Sequence, residues 1–363
     1  MKILHVVESL ERGGLERVVV SLALAQRNAG HEVEVSCLFR EGLLAHELRE
    51  AGVSLRCAGK KAGIDLPALR RLRTHARAMD AGVVHSHNAV SNYYAAAALL
   101  GTGIALVNTR HGMGAGSAAR KEKLYRLSLR RTAAVAAVCD AARQTFVAEG
   151  LAPARMMHVV RNGIELAGFP PDADRRGARV RLGLEAGVYV VGTVGRLNSA
   201  KNHARLVDAF ALLHAARPAS RLVIVGGGHQ QAALVKQIAA LGLGDVVVLA
   251  GDRSDVPALL PAFDVFALSS DTEGYSLALL EAGAACLPCV VSDVGGNAEI
   301  VQSEVTGIVV GTPTPAAFAE AFMRLAADDR LRLGMGRAAR TWVEVHGSAA
   351  AMARAYEQFY EAA

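Results

Sequence analysis

Four side chains in the second half of the sequence, Arg196, Lys201, Glu273 and Glu281, have the types and spacing to handle a ligand that is both anionic and rich in hydroxyl groups. Arg196 and Lys201 share the run Gly195-Arg196-Leu197-Asn198-Ser199-Ala200-Lys201-Asn202. Two cations in one loop can neutralise a diphosphate, the arginine through a fork of hydrogen bonds and the lysine as a point charge. Read alone, a solvated loop accounts for them equally well. Glu273 lies in Asp271-Thr272-Glu273-Gly274-Tyr275-Ser276-Leu277, and Glu281 falls within the apolar run that follows. A carboxylate among apolar neighbours needs hydrogen-bond donors, and the vicinal hydroxyls of a sugar would supply two. Gly274 permits close approach, and the N–H groups of Tyr275, Ser276 and Leu277 at a helix start can face a phosphate. The plainer reading makes Glu273 a helix-start residue and Glu281 a surface acid; the apolar surroundings of Glu281 weigh against it.

In the first half, Gly13 and Gly14 stand between a strand and a helix, where backbone N–H groups can approach a ligand at the positive helix end. By itself the pair reads as an ordinary tight turn. Asn108-Thr109-Arg110-His111-Gly112 ends a strand, and His111 draws its interest from that position. His85-Ser86-His87 raises the question of a metal, but alternate strand positions are taken to face opposite sides, so no metal site is expected. Two further matches fail. Gly226-Gly227-Gly228-His229-Gln230-Gln231 has a glutamine where a dinucleotide fingerprint needs its third glycine. Cys286-Leu287-Pro288-Cys289 precedes a strand instead of opening a helix, so its redox spacing reads as structural.

These residues need a scaffold that sets loops at strand ends. Strands are predicted at 2–7, 32–38, 53–57, 82–85, 105–109, 135–139 and 157–160. Helices are expected at 15–28, 43–51, 67–79, 89–100, 119–131 and 141–150. Such alternation with short connections predicts a parallel, doubly wound sheet. Turn formers and charges from 162 to 179 break the pattern, which resumes with strands at 188–194, 222–225, 246–249, 265–268, 289–292 and 308–310. The expected fold class is therefore α/β, with two Rossmann-like doubly wound domains facing a central cleft. They are assigned to 1–165 and 179–347, with a linker at 166–178. Helices close the chain from 315 to about 360.

The composition agrees. At 363 residues, 52% hydrophobic and 20% charged, the chain is too long for one ordinary core and too apolar for a disordered one. Forty basic against 34 acidic residues give +6. The excess sits in residues 1–170, which hold 23 Lys/Arg and 14 Asp/Glu. It concentrates at Lys60, Lys61, Arg70, Arg71, Arg73 and Arg77, and again at Arg120, Lys121, Lys123, Arg126, Arg130 and Arg131. Either run alone is a solvated helix face; together they suit an anionic partner. A nucleic-acid binder is disfavoured because aromatics, 5% of the chain, do not interleave with the basic runs. An NAD oxidoreductase is excluded by the missing third glycine. No stretch is long and apolar enough to span a membrane, and the first residues read as a strand. Five scattered cysteines argue against a disulfide framework. A cytoplasmic location is expected, at most peripheral to the inner face of a membrane.

Taken in order, Gly195-Arg196-Leu197 with Lys201-Asn202, the Glu273/Glu281 pair, and Val294-Gly295-Gly296-Asn297-Ala298-Glu299 resemble the family-4 retaining glycosyltransferases of the GT-B fold. The Gly13-Gly14 loop, Thr109-Arg110-His111-Gly112 and Arg161-Asn162-Gly163 match that family more loosely. The resemblance covers essentially the whole chain. It implies a UDP- or GDP-linked sugar as donor substrate, held mainly by the second domain, and a glycan or lipid-linked acceptor held by the first. Arg196 and Lys201 would hold the diphosphate, Glu281 the ribose hydroxyls, and Glu273 would sit beside the transferred sugar. Gly274, Tyr275, Ser276 and Leu277 would contact sugar and phosphate through their backbone. His111 would face the sugar, Gly13 and Gly14 would close over the diphosphate, and Arg253 would lie near the base. His111, Arg196, Lys201 and Glu273 form the catalytic set of this reading. No cofactor or metal is implied, and Asp172-Ala173-Asp174 falls in the linker. The resemblance also implies that a last helix, about 348–363, packs back on the first domain. Asn297 and Cys289 depart mildly from the family pattern. A GT-B nucleotide-sugar epimerase and a catalytically idle sugar-nucleotide-binding module are the competing readings.

Overall fold

The computed structural model describes residues 1–113 and 119–363; the side chain of Arg120, counted in the second basic run, is outside that description. The chain divides into two compact units: unit 1 comprises 1–165 with 347–363, and unit 2 comprises 166–346.

Unit 1 is a parallel sheet of seven strands in the order β3-β2-β1-β4-β5-β6-β7. They are β1 (Lys2–Val7), β2 (Glu32–Cys37), β3 (Ser54–Cys57), β4 (Val83–His87), β5 (Ala105–Arg110), β6 (Ala134–Ala137) and β7 (Met157–Val159). Unit 2 holds six, in the order β10-β9-β8-β11-β12-β13. These are β8 (Tyr189–Val194), β9 (Ser220–Val225), β10 (Val247–Gly251), β11 (Val265–Leu268), β12 (Cys289–Ser292) and β13 (Gly307–Val310). Two doubly wound α/β units are thus what the alternation predicts. The central strands form where it places them because most are short aliphatic runs buried on both faces, as parallel strands covered by helices must be, while the edge strands β3 and β10 are only partly covered. In each sheet the winding reverses beside the first strand, at β1/β4 and at β8/β11. Ligands of open α/β sheets bind outside the carboxyl ends of the strands at such a point.

Several element ends differ from the sequence reading, and three differences matter here. β4 runs to His87, two residues beyond its expected end, which carries the pleat through both histidines of His85-Ser86-His87. The helix expected at 43–51 is confined to Ala45–Glu50. Part of the segment read as a linker is the start of a helix, Arg175–Arg181, capped by the Asp174 side chain. That helix is fastened to unit 2 by Arg175 and Arg179, which reach the nearly buried Asp264 carboxylate at 2.7 and 3.0 Å.

The core of unit 2 packs Phe210, Phe318 and Phe322, all fully buried, from the helices covering the sheet onto Val191, Leu222 and Ile224 of the strands. Truncating one of these rings to Ala would cost about 3–5 kcal/mol. Unit 1 has comparable aliphatic clusters on its sheet. It is completed by the helix Ala349–Glu361, joined to residue 164 by the hydrogen bonds Ile164 N–Gly347 O, 2.9 Å, and Ala349 N–Ile164 O, 2.8 Å. No helix among the described residues is long and apolar enough to cross a membrane.

Candidate functional site

At the β8/β11 reversal of unit 2 two loops are stitched together. The loop after β8 ends in Asn202, which adopts a left-handed backbone (φ +43°) and caps the helix His203–Ala216 with its side chain. Asparagine is among the few residues that tolerate that conformation. The turn brings Lys201 back over Gly195, to which the lysine stem would be the nearest neighbour of an added Cβ. The loop after β11 is tied to it: Asp271 N donates to Ala200 O at 2.8 Å, and Ser269 Oγ donates to Asn202 O at 2.9 Å. Arg205 binds the Asp271 carboxylate at 2.7 Å and Ser269 O at 2.9 Å, and Asn202 Nδ2 donates to the same carboxylate.

This stitching sets Lys201 Nζ 2.5 Å from Glu273 Oε1. Ser270 Oγ donates to the same oxygen at 2.6 Å. Glu273 is 9% exposed, so a cation and a hydroxyl offset the desolvation of its carboxylate. Ser270 is held in turn by Ser292, whose Oγ donates to Ser270 O at 2.6 Å, and Asn297 Nδ2 donates to Ser292 O at 3.0 Å. Gly295 closes the arrangement with φ +55°; a Cβ there would lie 1.8 Å from Glu273 O, so only glycine fits. Gly226 plays the corresponding part behind the β8 loop, at φ +141°, with its hypothetical Cβ 2.0 Å from Gly195 O. The glycine run that fails as a dinucleotide fingerprint therefore seats the Gly195–Leu197 backbone, with Leu197 N donating to Gly227 O at 2.9 Å.

Gly274, Tyr275 and Ser276 lead from Glu273 into the helix Leu277–Ala284, with Ser276 at its N-cap. Glu281 lies on that helix, half-buried. Arg196 is exposed, and its guanidinium has no ion-pair partner among the described residues. Arg253, in the loop after β10, is gripped by its neighbour Asp255 through two bonds of 2.7 Å. His203, missed in the sequence, lies buried beside Lys201; burial first and the lysine charge second lower its pKa to about 4. Cys289 is buried and its thiol is pushed up to about 12, and all five cysteines are free, in keeping with a structural role. The structure thus brings together Lys201 and Glu273, sets the 274–277 backbone next to them in the chain, and keeps Arg253 engaged elsewhere.

Gly13, Gly14 and His111 belong to unit 1. Gly13 is the extended N-cap of the helix Gly14–Asn28 that follows β1. His111 follows β5, its N–H donating to Asn88 Oδ1 at 3.0 Å. Asn88, like Asn202, is left-handed (φ +63°). Arg110 lies over the Tyr125 ring at 4.7 Å. The expectation that His85 and His87 face opposite sides is wrong. Residues two apart in a strand share a face, and the two rings are 4.2 Å apart between centroids. They join a buried cluster that the sequence reading missed, with His5, Gln26, Tyr356 and Tyr360. His5 is the register partner of His85, a pairing between distant segments with no signature in either one. Ring nitrogens of His5, His85 and His87 lie within 4.8 Å of one another, a spacing a metal could use. In the structure these nitrogens are engaged in hydrogen bonds. His85 Nδ1 lies 2.8 Å from Tyr360 OH and its Nε2 2.7 Å from Thr109 Oγ1, while both nitrogens of His5 and of His87 are also paired.

Residues 12–167 match the family model for Glycosyltransferase Family 4, and residues 174–342 that for Glycosyl transferases group 1. Over 370 residues the chain is 29% identical to the D-inositol 3-phosphate glycosyltransferase of Jonesia denitrificans, covering 91% of this chain and 87% of that one. It is 32% identical to the lipopolysaccharide core biosynthesis mannosyltransferase LpsB of Rhizobium meliloti over 215 residues, 55% of this chain and 60% of the relative. A D-inositol 3-phosphate glycosyltransferase of Salinispora arenicola is 36% identical over 200 residues, 51% and 45% of the two chains. These last two matches span about half the relatives' length. Among solved structures, Anabaena Alr3699/HepE in complex with UDP superposes with a TM-score of 0.89 at 21% identity, covering 100% of both chains. The glycosyltransferase WaaG, involved in lipopolysaccharide biosynthesis, gives 0.75 at 18% identity, covering 98% of this chain and 99% of that one.

Proposed function

We propose that the chain, whose two halves match glycosyltransferase family models, is a GT4-type glycosyltransferase that moves a sugar from a nucleoside-diphosphate sugar to a glycan or lipid-linked acceptor with retention of anomeric configuration. The observation that carries this reading is the Lys201–Glu273 pair, 2.5 Å apart where the winding of unit 2 reverses. Unit 2 is assigned the donor. Arg196 and Lys201 take the diphosphate, the N–H groups of the 274–277 segment contact phosphate and sugar, Glu273 sits beside the transferred sugar and Glu281 takes the ribose hydroxyls. Arg253 is assigned to the base, which requires it to exchange Asp255 for the nucleotide. Unit 1 is assigned the acceptor, and His111, Gly13 and Gly14 are its contributions to the sugar and diphosphate.

In the reaction, the bond from the sugar's anomeric carbon to the diphosphate oxygen breaks. The acceptor hydroxyl oxygen bonds to that carbon on the same face, and its proton passes to the leaving phosphate. Lys201 and Arg196 stabilise the negative charge that develops on the departing diphosphate, which is where fixed cations accelerate such a step. No metal enters any step. LpsB is by name a lipopolysaccharide core biosynthesis mannosyltransferase, a relative from Escherichia coli is a UDP-Gal:alpha-D-GlcNAc-diphosphoundecaprenol alpha-1,3-galactosyltransferase, and the HepE complexes hold UDP and UDP-glucose. These support a sugar-nucleotide donor and an acceptor of the cell-surface glycan class. The basic runs of unit 1 support docking of the protein at the anionic inner face of a membrane.

The test is a thermal-shift panel with UDP, GDP, ADP, CMP and NAD, followed by transfer kinetics with the sugar nucleotide of whichever base binds. One nucleoside diphosphate should stabilise the protein, by about 2.7 kcal/mol at ~100 times its dissociation constant. Glu281→Ala should mainly weaken donor binding, about tenfold, whereas Lys201→Met should mainly lower kcat, about 100-fold or more. Wild-type turnover in both variants would overturn the assignment. An absence of any nucleotide shift would overturn the donor assignment to unit 2, and a shift without transfer would make the chain an idle sugar-nucleotide-binding module.

A further inference from the structure

The buried histidines of unit 1 form a directed chain that ends at His111. Gln26 Oε1 lies 2.7 Å from His5 Nε2, His5 Nδ1 lies 3.1 Å from His87 Nε2, and His87 Nδ1 lies 2.9 Å from His111 Nε2. His111 Nδ1, at the end of the series, is buried and has no hydrogen-bond partner among the described residues. Neutral imidazole has one donor and one acceptor nitrogen, so fixing one ring fixes the next. The network therefore has only two self-consistent patterns, each running one way from end to end.

Gln26 selects between them. Its amide nitrogen donates to Tyr360 OH at 3.0 Å, which turns its carbonyl towards His5. His5 must then carry its proton on Nε2 and accept on Nδ1; His87 follows suit, and then His111. The same choice propagates along the side branch. Tyr360 OH accepts from Gln26 and donates to His85 Nδ1, and His85 Nε2–H donates to Thr109, whose hydroxyl meets Tyr356 OH at 3.0 Å. In this pattern all four rings adopt the Nε2–H tautomer, the more stable form of a free histidine side chain. The rings stay neutral because burial lowers the pKa of His5 to about 4 and of His111 to about 3, with His85 and His87 well below the ordinary value.

We propose that Gln26, His5 and His87 are positioning residues that hold His111 in the Nε2–H tautomer, so that its Nδ1 is presented as an acceptor for a sugar hydroxyl. The sugar part of this inference rests on the glycosyltransferase reading; the tautomer part does not. Asn88 fixes the other half of His111 by accepting its backbone N–H, so ring and main chain are anchored separately. The alternative pattern would give His111 an Nδ1–H donor, suited to an anionic oxygen and useless to a hydroxyl hydrogen. The direction of the chain thus decides which ligand atom His111 can address.

Long-range nitrogen–proton NMR on the full chain labelled with 15N-histidine reads this directly, with His→Phe variants providing assignments. The expected spectrum shows His5, His85, His87 and His111 as neutral Nε2–H tautomers between pH 6 and 8. It also shows nitrogen–nitrogen couplings across the His5–His87 and His87–His111 hydrogen bonds. In Gln26→Met, which cannot orient His5, His111 should become a mixture of both tautomers, and KM or kcat for transfer should worsen. An Nδ1–H tautomer at His111 in the wild type would overturn the direction. A pure Nε2–H His111 in Gln26→Met would overturn the relay. Neither spectral result depends on turnover, so a failed transferase assay and a failed relay are told apart.

Discussion

Unit 1 and unit 2 place polar groups at equivalent points of their sheets, beside β1/β4 and β8/β11, but in opposite electrical states. Unit 2 gathers formal charge. Lys201, Glu273, Arg205 and Asp271 pair across loops that keep some access to solvent. Unit 1 gathers neutral groups, sealing His5, His85 and His87 with Gln26, Thr109 and two tyrosines, all nearly inaccessible. Burial excludes charge unless it is paired, so a network made of imidazole, amide and hydroxyl can be deep, whereas one made of ions must stay shallow or match each charge. A shallow ionic site can exchange partners with a charged ligand. A deep neutral one can transmit orientation but not accept ions. The two units are thus suited to different tasks on one scaffold.

Acidification should separate them most. The buried rings have folded pKa values of about 4 for His5 and about 3 for His111, against 6.5 for an exposed ring, so below 6.5 the unfolded chain binds more protons than the folded one. The stability these neutral rings contribute is complete above pH 6.5 and is lost as pH falls towards the folded values. For His5 alone the loss by pH 5 is about 2 kcal/mol, and His85, His87 and His111 add to it. Unit 2 has His203 in the same condition. Hydrogen exchange at pH 7.5 and 5.0 should therefore show unit 1 losing protection first and more steeply. If unit 2 opens first, the contrast fails.

The second effect concerns backbone. Gly295→Ala should destabilise unit 2 by about 3 kcal/mol, because it combines a left-handed φ with a collision against Glu273 O. Denaturant unfolding followed by the fluorescence of Trp342, the sole tryptophan and a unit 2 residue, would measure it. The smallest effect sharpens the idea that unit 2 holds its charges loosely. Asp271 is half-exposed, so Asp271→Asn should cost no more than about 0.5 kcal/mol in the same assay. A loss several times larger would mean that this pair is bound into its surroundings as tightly as the buried network of unit 1.

Most strands were legible in the sequence because they are aliphatic or alternating runs between turn formers, a signal contained in about six residues. Arg196, Lys201, Glu273 and Glu281 were legible as chemistry because their charge is conspicuous in loops and in an apolar helix. What was not legible depends on contacts between distant segments. The pairing of His5 with His85 is a matter of register, and the roles of Tyr356 and Tyr360 depend on a helix that returns across more than half the sequence. Ser270, Ser292 and Asn297 look like ordinary polar residues until the loops that carry them meet. The error over His85 and His87 was of another kind: the pleat has period two, so His-Ser-His at a strand end was itself a readable sign of two rings side by side. Asn88 and Asn202 could have been suspected as turn residues, but their left-handed backbone is known only from the structure.

The helix Ala349–Glu361 has a consequence for how the protein comes into being. Tyr360 closes the bonds to Gln26 and His85, and Tyr356 the bond to Thr109, so the polar interior of unit 1 is unfinished without that helix. A ribosome makes the helix only after all of unit 2. At about 5–20 residues per second, the first 165 residues wait some ten seconds or more with His85, Thr109 and the Gln26 amide each lacking a partner, while unit 2 can fold as soon as it emerges. The segment translated first is therefore the last to reach its final state, and the interval between is when a chaperone would find this chain.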